Sequence, residues 1–396
     1  MKKNWEIVRL GDLCESDLGK TLNKSHDTGN FHPYLCSINV LWDKIDLSTL
    51  KEARFNENEI EKYSVQKGDL LICEGGDIGR CAIWEKEESF LYQNAIHRVR
   101  FNDRINPRYC LYYLKHLKDT GTLDSRYGKG VTIKHLVKSS LHSIPIPVPP
   151  LPVQARIVDE LDCLQGILSK KRQQLAEYHS LAQAIFHQMF GDPVVNEKGW
   201  EVKRLGEVFD ITSSKRIYQN ELLLEGIPFY KVSDIVSLID KNEVVPNSFI
   251  SEYTYKDLVK NGNVPQANDL LITSRGTLGK CYIVKMNDKF YFQDGMVTWL
   301  RQKEEPILPT YVSYVFLENS FKSYLYKNAK HTTVDYISIQ HLSKMLIPLP
   351  PLPLQQSFAA RIAAIDSQRE RLAASIRELE TLLACRMETL LNCPQA

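Results

Sequence analysis

Two short loops combine glycines with a basic residue, a combination that can bind phosphate. They are Gly75–Arg80, with the sequence GGDIGR, and Arg275–Lys280, with the sequence RGTLGK. A nucleotide-binding P-loop needs four residues between its first glycine and a Gly-Lys pair, and a Ser or Thr afterwards. Glu74 and Ser274 occupy the position of that first glycine, and a cysteine follows the basic residue in both loops. The loops therefore predict a β-turn whose Arg or Lys contacts a backbone phosphate, with a plain hairpin turn carrying an exposed cation as the alternative.

Basic residues also gather in two segments that precede proline-rich sequence. Residues 126–135 read RYGKGVTIKH and residues 326–333 read YKNAKHTT. Basic side chains interleaved with Tyr, Thr and Gly suit contacts to phosphates and base edges, although a solvated loop can have the same composition. These segments, the glycine loops and matching positions in the two halves of the chain supply most of the candidate DNA-contacting residues. The candidates are Lys20, Lys24, Asn39, Arg80, Gln93, Asn94, Arg98, Lys129 and Lys134 in the first half, and Lys215, Arg216, Lys231, Arg275, Lys280, Gln293, Asp294, Lys330, His331 and Thr333 in the second.

No group of residues has the spacing that catalysis requires. The sequence has no glycine-rich loop for S-adenosylmethionine, no acidic tetrapeptide of the amino-methyltransferase kind and no GxSxG motif. Its nine cysteines never lie at CxxC spacing and no HExxH motif is present, so we expect reduced cysteines and no metal site. The sequence therefore predicts a chain without catalytic residues.

The composition is that of a globular protein and favours no single class of partner. Of the 396 residues, 43% are hydrophobic and 25% are charged, and the length suits two or three domains. Fifty basic residues against 48 acidic ones give a net charge of +2, which neither requires nor excludes nucleic acid. No apolar run is long enough to cross a bilayer, and the first residues lead directly into charged sequence. We therefore expect a cytoplasmic protein.

The elements that position these candidate residues occur twice in the chain. Residues 67–83 and 267–283 share eight identities in 17 positions, and the offset between matching segments drifts only from 195 to 201. The sequences between the matching segments differ almost completely, which suits a shared scaffold that recognises two different things. The other matching pairs are Trp5–Leu13 with Trp200–Val208, and Ile146–Gln154 with Ile347–Gln355.

A long helix is predicted after each proline-rich hinge. The hinge prolines favour extended backbone, and after Pro152 no further proline occurs until Pro193. Apolar residues then recur at alternating intervals of three and four, which is typical of a coiled coil. We expect the two helices to pair antiparallel, and a helix packed on its own domain is the alternative. The predicted coiled-coil core consists of Ile157, Leu161, Leu164, Leu168, Leu175, Ile185, Phe358, Ile362, Ile365, Leu372, Ile376, Leu379 and Leu383.

These features divide the chain into four predicted segments. Residues 1–152 form an N-terminal domain and residues 153–192 a central long helix. Residues 193–353 form a similar C-terminal domain and residues 354–396 a second long helix. Each domain mixes short strands, such as the one predicted at Lys67–Cys73, with helices. The fold class is therefore α+β, with two domains related by a pseudo-twofold axis and joined by an antiparallel coiled coil.

The sequence resembles the specificity subunit of type I restriction–modification systems. The resemblance rests on the pairs WEIVRLGDL and WEVKRLGEV, GDLLICEGGDIGRC and NDLLITSRGTLGKC, and IPVPPLPVQ and IPLPPLPLQ, and it extends over nearly the whole chain. Val153 and Leu354 replace the acidic residue that usually precedes the hinge glutamine.

The resemblance implies a non-catalytic subunit that recognises DNA. Two target recognition domains would each read one half of a bipartite, asymmetric site, and the coiled coil would set the spacer and dock two methyltransferase subunits. Those subunits would supply S-adenosylmethionine and methylate adenine at N6. A restriction subunit, where one is encoded, would add ATP- and Mg²⁺-dependent cleavage. The partners implied are thus double-stranded DNA and these subunits, with no membrane and no cofactor in this chain.

Two other functions remain open from the residues alone. A coiled-coil adaptor that binds no DNA would have the same helices and hinges. A stand-alone nuclease or methyltransferase would need the metal or S-adenosylmethionine motifs that the sequence lacks.

Overall fold

The computed structural model describes residues 5–23, 27–241, 243–304, 306–330 and 334–392. The chain divides into two compact units: unit 1 comprises residues 1–172 with 373–396, and unit 2 comprises residues 173–372. Both boundaries fall inside long helices. Each unit therefore contains one copy of the repeat and one half of each long helix.

The strands of the first repeat alternate with short helices. Its strands are β1 (Glu6–Arg9), β2 (Cys14–Leu18), β3 (Asn30–Leu35), β4 (Val40–Leu41), β5 (Lys44–Ile45), β6 (Lys51–Phe55), β7 (Ser64–Val65), β8 (Leu70–Cys73), β9 (Cys81–Ile83), β10 (Phe90–Tyr92), β11 (Ile96–Phe101) and β12 (Pro145–Val148). Its helices are α1 (Glu57–Lys62), α2 (Pro107–Asp119) and α3 (Lys138–His142), and the long α4 (Leu151–Phe190) follows.

The strands of unit 1 form two main sheets around an apolar core. One sheet is antiparallel with the order β2-β11-β8-β9, and the other has the order β6-β3-β10-β7, in which β3 and β10 run parallel. All four residues of β8 are buried, as expected for the strand predicted at Lys67–Cys73. Leu71 and Cys73 of this strand belong to one core cluster with Trp84 and Tyr92. A two-stranded ribbon, β1 with β12, joins the start of the repeat to its hinge.

The second repeat contains an equivalent set of elements. Its strands are β13 (Glu201–Arg204), β14 (Phe209–Thr212), β15 (Ile227–Tyr230), β16 (Phe249–Ile250), β17 (Leu270–Thr273), β18 (Cys281–Ile283), β19 (Tyr291–Phe292), β20 (Val297–Gln302) and β21 (Leu346–Leu349). Its helices are α5 (Leu205–Val208), α6 (Val232–Lys241), α7 (Glu252–Lys260), α8 (Pro309–Leu317), α9 (Asn319–Lys327) and α10 (Ile339–Lys344), followed by the long α11 (Leu352–Leu391).

The sheet order of unit 2 repeats that of unit 1. The order β14-β20-β17-β18 matches β2-β11-β8-β9, and the ribbon of β13 with β21 matches β1 with β12. The second sheet is shorter, with the order β16-β15-β19, and it keeps one parallel pair, β15 with β19. The main difference is the insert beside the last strand of the larger sheet. In unit 1 the β4–β5 hairpin packs against β9, whereas in unit 2 helix α6 packs against β18. The structure therefore supports the two similar α+β domains that the repeat predicts.

Both long helices begin two residues before the boundaries predicted at 153 and 354. They start at Leu151 and Leu352, so that Pro152 and Pro353 lie in the first helical turn. Proline is tolerated there because its missing N–H would have no partner within the helix. Helix α4 ends at Phe190, and Gly191 follows with a φ of 75°, a left-handed conformation that favours glycine after a helix.

Within unit 1 the halves of the two long helices pair antiparallel. Arg386 of α11 bonds Glu160 of α4, and Glu380 of α11 bonds Arg172 of α4 with a distance of 2.6 Å. As the residue number rises along one helix it falls along the other, so the two helices run in opposite directions. This pairing is consistent with the predicted coiled coil.

The predicted coiled-coil positions have the burial that a helix–helix core requires. Ile157, Leu161, Leu168, Phe358, Ile362, Ile365, Leu372, Ile376 and Leu383 are buried, and Leu164, Leu175, Ile185 and Leu379 are half-buried. The prediction omitted Phe186 and Phe190, whose rings pack on Phe358 in unit 2. Over the residues that the structure covers, no helix has both the length and the apolar character that a membrane span needs.

Candidate nucleic-acid interface

Each glycine loop links the last two strands of the larger sheet. Gly79 and Gly279 have φ angles of 78° and 80°, in the left-handed region. A Cβ at Gly79 would lie 2.1 Å from Cδ2 of Leu123, and one at Gly279 would lie 2.7 Å from Cδ2 of Leu325. Both positions therefore need glycine, because of their backbone conformation and because a neighbouring leucine approaches closely. This packing accounts for the repeated glycine without a bound phosphate.

The glycine-loop cations, Arg80 and Lys280, are held by partners within the chain. Arg80 Nη2 donates to the carbonyl oxygen of Ser37 at 2.7 Å, and Lys280 forms an ion pair with Asp240. Ser37 begins the turn before the β4–β5 hairpin, and Asp240 lies on α6. Although the two inserts differ in fold, the cation at the equivalent loop position binds the insert in each unit. The geometry therefore gives both cations an anchoring role that the phosphate prediction did not include.

The segment before each hinge is joined to the glycine loop by backbone hydrogen bonds. Leu136 N donates to the Glu74 carbonyl at 2.7 Å, and Ile337 N donates to the Ser274 carbonyl at 3.0 Å. Just before these residues the backbone closes on itself in both units. Lys129 and His135 exchange two hydrogen bonds of 2.9 and 2.8 Å, and Lys330 and Tyr336 exchange two of 2.8 and 3.2 Å. We call the Lys129–His135 and Lys330–Tyr336 pairs the stems of unit 1 and unit 2, and residues 129–135 the tip hairpin of unit 1.

Exposed cations surround these paired segments. Lys129 is exposed on the tip hairpin, and Lys330 and Arg275 are exposed in unit 2, where Arg275 forms a β-bridge with Tyr336. The Lys330 ammonium lies 5.9 Å from the centre of the Tyr336 ring. Lys134 is half-buried, and its ammonium donates to the Asp124 carbonyl at 2.6 Å. Among the predicted residues, the structure thus brings Lys129 and Lys134 together in unit 1, and Arg275 and Lys330 in unit 2.

The prediction that Lys20 faces DNA is wrong. Its side chain is only 3% exposed, and its ammonium bonds Glu59 at 2.8 Å, Asp27 at 3.2 Å and the Arg54 carbonyl at 2.6 Å. Burial lowers the pKa of Lys20, but the hydrogen bonds to Glu59 and Asp27 outweigh burial and raise the pKa above its ordinary value. This lysine is a buried structural cation that cannot reach a phosphate.

The prediction that Asn39 faces DNA is also wrong. Asn39 is completely buried, and its side-chain oxygen accepts from the backbone N–H of Cys36 at 2.9 Å. Its amide donates to the carbonyls of Asp46 and Thr49, both at 2.9 Å. These bonds hold the turn around the β4–β5 hairpin, because they satisfy polar groups that water cannot reach.

Arg98 is also held within unit 1. Its guanidinium donates to the Ser64 carbonyl at 2.9 Å and to Asp17 at 3.2 Å, and its side chain is 15% exposed. The other predicted residues lie scattered in their units. Gln93, Lys231, Gln293 and Asp294 are half-buried, Asn94 and Lys215 are exposed, and Arg216 is exposed and pairs with Asp294 at 2.8 Å. Lys24, His331 and Thr333 lie outside the described residues.

The hinge glutamines are structural residues to which the sequence assigned no role. Gln154 and Gln355 are buried, and each side-chain oxygen accepts from the backbone N–H just before α2 or α8, at 2.7 and 2.8 Å. Each side-chain amide donates to a hinge proline carbonyl, Pro149 at 2.7 Å or Pro350 at 2.8 Å. Because each glutamine lies in the first turn of a long helix, it joins that helix to the hinge and to the residue just before α2 or α8. Its repetition at the same motif position was the signal that could have revealed this.

Unit 1 also contains a charged cluster that no sequence pattern indicated. Arg108 of α2 bonds both oxygens of Asp162 on α4, at 2.6 and 2.7 Å, and both oxygens of Asp43 in the β4–β5 turn, at 2.9 Å each. Tyr112 donates to Asp162 as well. Burial raises the pKa of Asp43, and Arg108 opposes that rise. We call Arg108, Asp43 and Asp162 the charge clamp.

At the equivalent place in unit 2 the contacts are aromatic. Thr310 and Ala363 replace Arg108 and Asp162, and Tyr314 packs edge-on against Phe358 with ring centres 5.1 Å apart. Phe186 and Phe190 of α4 pack on the same ring, at 5.6 and 5.2 Å. Burial raises the pKa of Tyr314 to about 12. We call Phe186, Phe190, Tyr314 and Phe358 the aromatic cluster.

Two copies of one α+β unit, each with a glycine loop, a stem before the hinge and paired halves of long helices, define a tandem-domain protein. A family model for the type I restriction modification DNA specificity domain matches residues 2–178 and again residues 197–381. The chain belongs to this family and is a specificity subunit of a type I restriction–modification system, with two DNA specificity domains. This confirms the family expected from the repeated motifs.

Related proteins and solved structures agree with this assignment. The specificity subunit of the type I restriction enzyme MjaVIII from Methanocaldococcus jannaschii is 27% identical over 389 residues, covering 92% of this chain and 87% of the relative. The S subunit from M. genitalium superposes with a TM-score of 0.56 at 17% identity, covering 98% of this chain and 96% of the other. A structure from work on assembly and conformational transition of the type I system gives a TM-score of 0.62 at 19% identity, with 98% of both chains covered. The structural matches establish the fold.

Proposed function

We propose that each domain of this specificity subunit reads one half of a bipartite, asymmetric DNA site. The observation that supports the proposal most strongly is the contrast between a constant frame and differing inserts. The larger sheet, the glycine loop, the stem and the hinge glutamine recur in both units, whereas the β4–β5 hairpin and α6 occupy equivalent places with different folds. A repeated frame with unlike inserts suits two DNA sequences that differ.

We propose that this chain is itself non-catalytic. We propose that the methyltransferase subunits supply S-adenosylmethionine and methylate adenine at N6, and that a restriction subunit, where encoded, supplies ATP- and Mg²⁺-dependent cleavage. Two methyltransferase subunits would dock on the paired long helices, which would also fix the spacing between the half-sites. The chain would act in the cytoplasm and would itself hold no cofactor.

The exposed stem lysines give a direct test of DNA contact. Replacing Lys129 or Lys330 by alanine should weaken binding and lower the slope of log affinity against log salt by about one unit for each phosphate that is no longer neutralised. Lys198→Ala is a matched control, because Lys198 is an exposed lysine of the segment between α4 and β13. Affinities are measured across a salt series with the full chain and its methyltransferase subunits. Salt slopes that stay unchanged in both stem variants would remove the stems from the interface, and an absence of DNA binding by the wild type would favour the adaptor function.

A further inference from the structure

The tip hairpin of unit 1 exposes two apolar side chains to solvent. Val131 is fully exposed, with a relative accessibility of 101%, and Ile133 is 64% exposed. Single exposed apolar residues are ordinary on protein surfaces and need no special explanation. These two, however, alternate along one short hairpin that is bonded to the glycine loop. Both side chains are therefore exposed on a hairpin whose backbone is held by hydrogen bonds.

The tip hairpin is held in its conformation by several contacts. The Lys129–His135 backbone pair closes its base, and the Lys134 ammonium bonds the Asp124 carbonyl at 2.6 Å. Gly130 has a φ of 111°, and a Cβ there would lie 2.2 Å from the Ile133 carbonyl oxygen. The turn thus depends on glycine. Because Val131 is fully exposed, these contacts fix the backbone without burying its side chain.

The stem is the same in the two units, whereas the sequence between the stem residues differs. Both stems carry a lysine at the same repeat position, and both are joined to the glycine loop by a backbone hydrogen bond. Between the stem residues the sequence is GVTIK in unit 1 and HTTVD in unit 2, so that Val131 corresponds to Thr332. In a protein with two DNA specificity domains, a side chain that differs on a preserved support is placed to distinguish one half-site from the other.

The chemistry around Val131 indicates what it would contact. Lys129 and Arg126 are exposed near the tip and suit phosphates on either side of a groove. Val131 is an exposed apolar side chain of the same segment, and the apolar group that a base pair presents in the major groove is the 5-methyl of thymine. The minor groove offers no such group.

We propose that Val131 contacts the 5-methyl group of a thymine in the half-site read by unit 1. This inference rests on the proposed function, because it requires unit 1 to bind a defined half-site. It assigns specificity to a residue outside the glycine loop and outside the β4–β5 insert.

The test removes the methyl group from each partner in turn. After the bound site has been determined, each thymidine of the unit 1 half-site is replaced by deoxyuridine, which lacks only the methyl. At one position this change should weaken binding of the wild-type complex about fourfold, the equivalent of one buried methyl group. Val131→Ala should weaken binding to the thymine site by about four- to tenfold and should cause no further loss on the deoxyuridine site.

Controls separate this inference from the proposed function. Val195→Ala removes another exposed valine, which is 70% accessible and lies between α4 and β13, and it should leave the affinity unchanged. The thermal midpoint of Val131→Ala should match that of the wild type, because an exposed side chain is removed. If the wild type binds its site selectively and Val131→Ala binds equally well, this inference alone is overturned. A loss for Val131→Ala that persists at every deoxyuridine position also overturns it, and would point to a wedge between base steps. A wild type without selective binding overturns the proposed function itself.

Discussion

Unit 1 and unit 2 fix equivalent helices to the long helices by opposite kinds of contact. In unit 1 the guanidinium of Arg108 bonds two carboxylates, so the contact is ionic and directional. In unit 2 a threonine replaces this arginine, and Tyr314 packs among phenylalanine rings. The position of this helix in the repeat is therefore kept, while the side chains at its contact with the long helix differ between the units.

The charge clamp includes a residue of the β4–β5 insert, whereas the aromatic cluster of unit 2 includes no residue of its insert, α6. Asp43 belongs to the β4–β5 turn, so in unit 1 the insert is tied to the helix α2 and to α4 through one arginine. In unit 2 the insert helix α6 instead contributes Ile235 to an apolar cluster with Trp299 of the larger sheet. Each insert therefore differs from the other together with its supporting contacts, so the inserts are not simply exchangeable parts.

Removing the central ring of the aromatic cluster should cause the largest loss of stability. Phe358→Ala should destabilise unit 2 by about 3–5 kcal/mol, because a fully buried phenylalanine leaves a cavity among three other rings. Hydrogen exchange measured by mass spectrometry should show the loss of protection in α8 and in the first half of α11. Ile157→Ala, at the equivalent position of unit 1, is the matched variant and should leave the protection of α8 unchanged. Unaltered exchange of α8 in Phe358→Ala would show that the cluster does not hold this helix.

Removal of the charge clamp should have a smaller effect that depends on salt. Arg108→Ala leaves two carboxylates without their partner, and we expect a loss of about 2 kcal/mol, below that of a fully buried pair, because these groups are partly exposed. High salt should reduce the difference from the wild type, since salt screens exposed charges. Thr310→Ala is the control in unit 2. The stability is measured by urea unfolding at low and high salt, and equal effects of the two variants would mean that the clamp contributes nothing.

The smallest expected difference between the units concerns the hinge glutamines. Gln154→Ala and Gln355→Ala should each cost about 1–3 kcal/mol, because buried backbone groups lose their hydrogen-bond partners. Since both side chains bond the hinge and the residue just before α2 or α8 in the same way, the two losses should agree within error. Hydrogen exchange at Asn106 and Leu308, whose backbone N–H groups donate to these side chains, would report each loss separately. A large effect in only one unit would show that the hinges are not equivalent.

The frame was predictable from the sequence because its signals are local. The repeated DLLI strands, the hinge prolines and the alternating apolar spacing of three and four are each visible within a short segment. The helix starts were missed by two residues, because a proline is compatible with the first turn of a helix. The family resemblance followed from the same short motifs.

The candidate contact residues were less predictable, because tertiary contacts decide their exposure. Lys20 reads as a free cation in the sequence, yet it is buried by carboxylates from segments that only the fold brings near it. The side-chain amide of Asn39 likewise donates to carbonyls that lie seven and ten residues further along the chain. The charge clamp joins Asp43, Arg108 and Asp162, which no local pattern relates. Lys129, Arg275 and Lys330, in contrast, are exposed, and their contact with DNA stays a prediction.

Selection of binding sites from random DNA would show whether one repeated frame presents two different reading surfaces. The full chain with its methyltransferase subunits, and its Lys129→Ala and Arg275→Ala variants, would each be selected against the same DNA pool. We expect two short blocks of specified bases, unlike each other and separated by a constant gap. Both variants should bind the selected DNA more weakly, because each loses a phosphate contact, but they should select the same two blocks and the same gap. A single continuous block, two identical blocks, or a variant that selects different blocks would contradict this expectation.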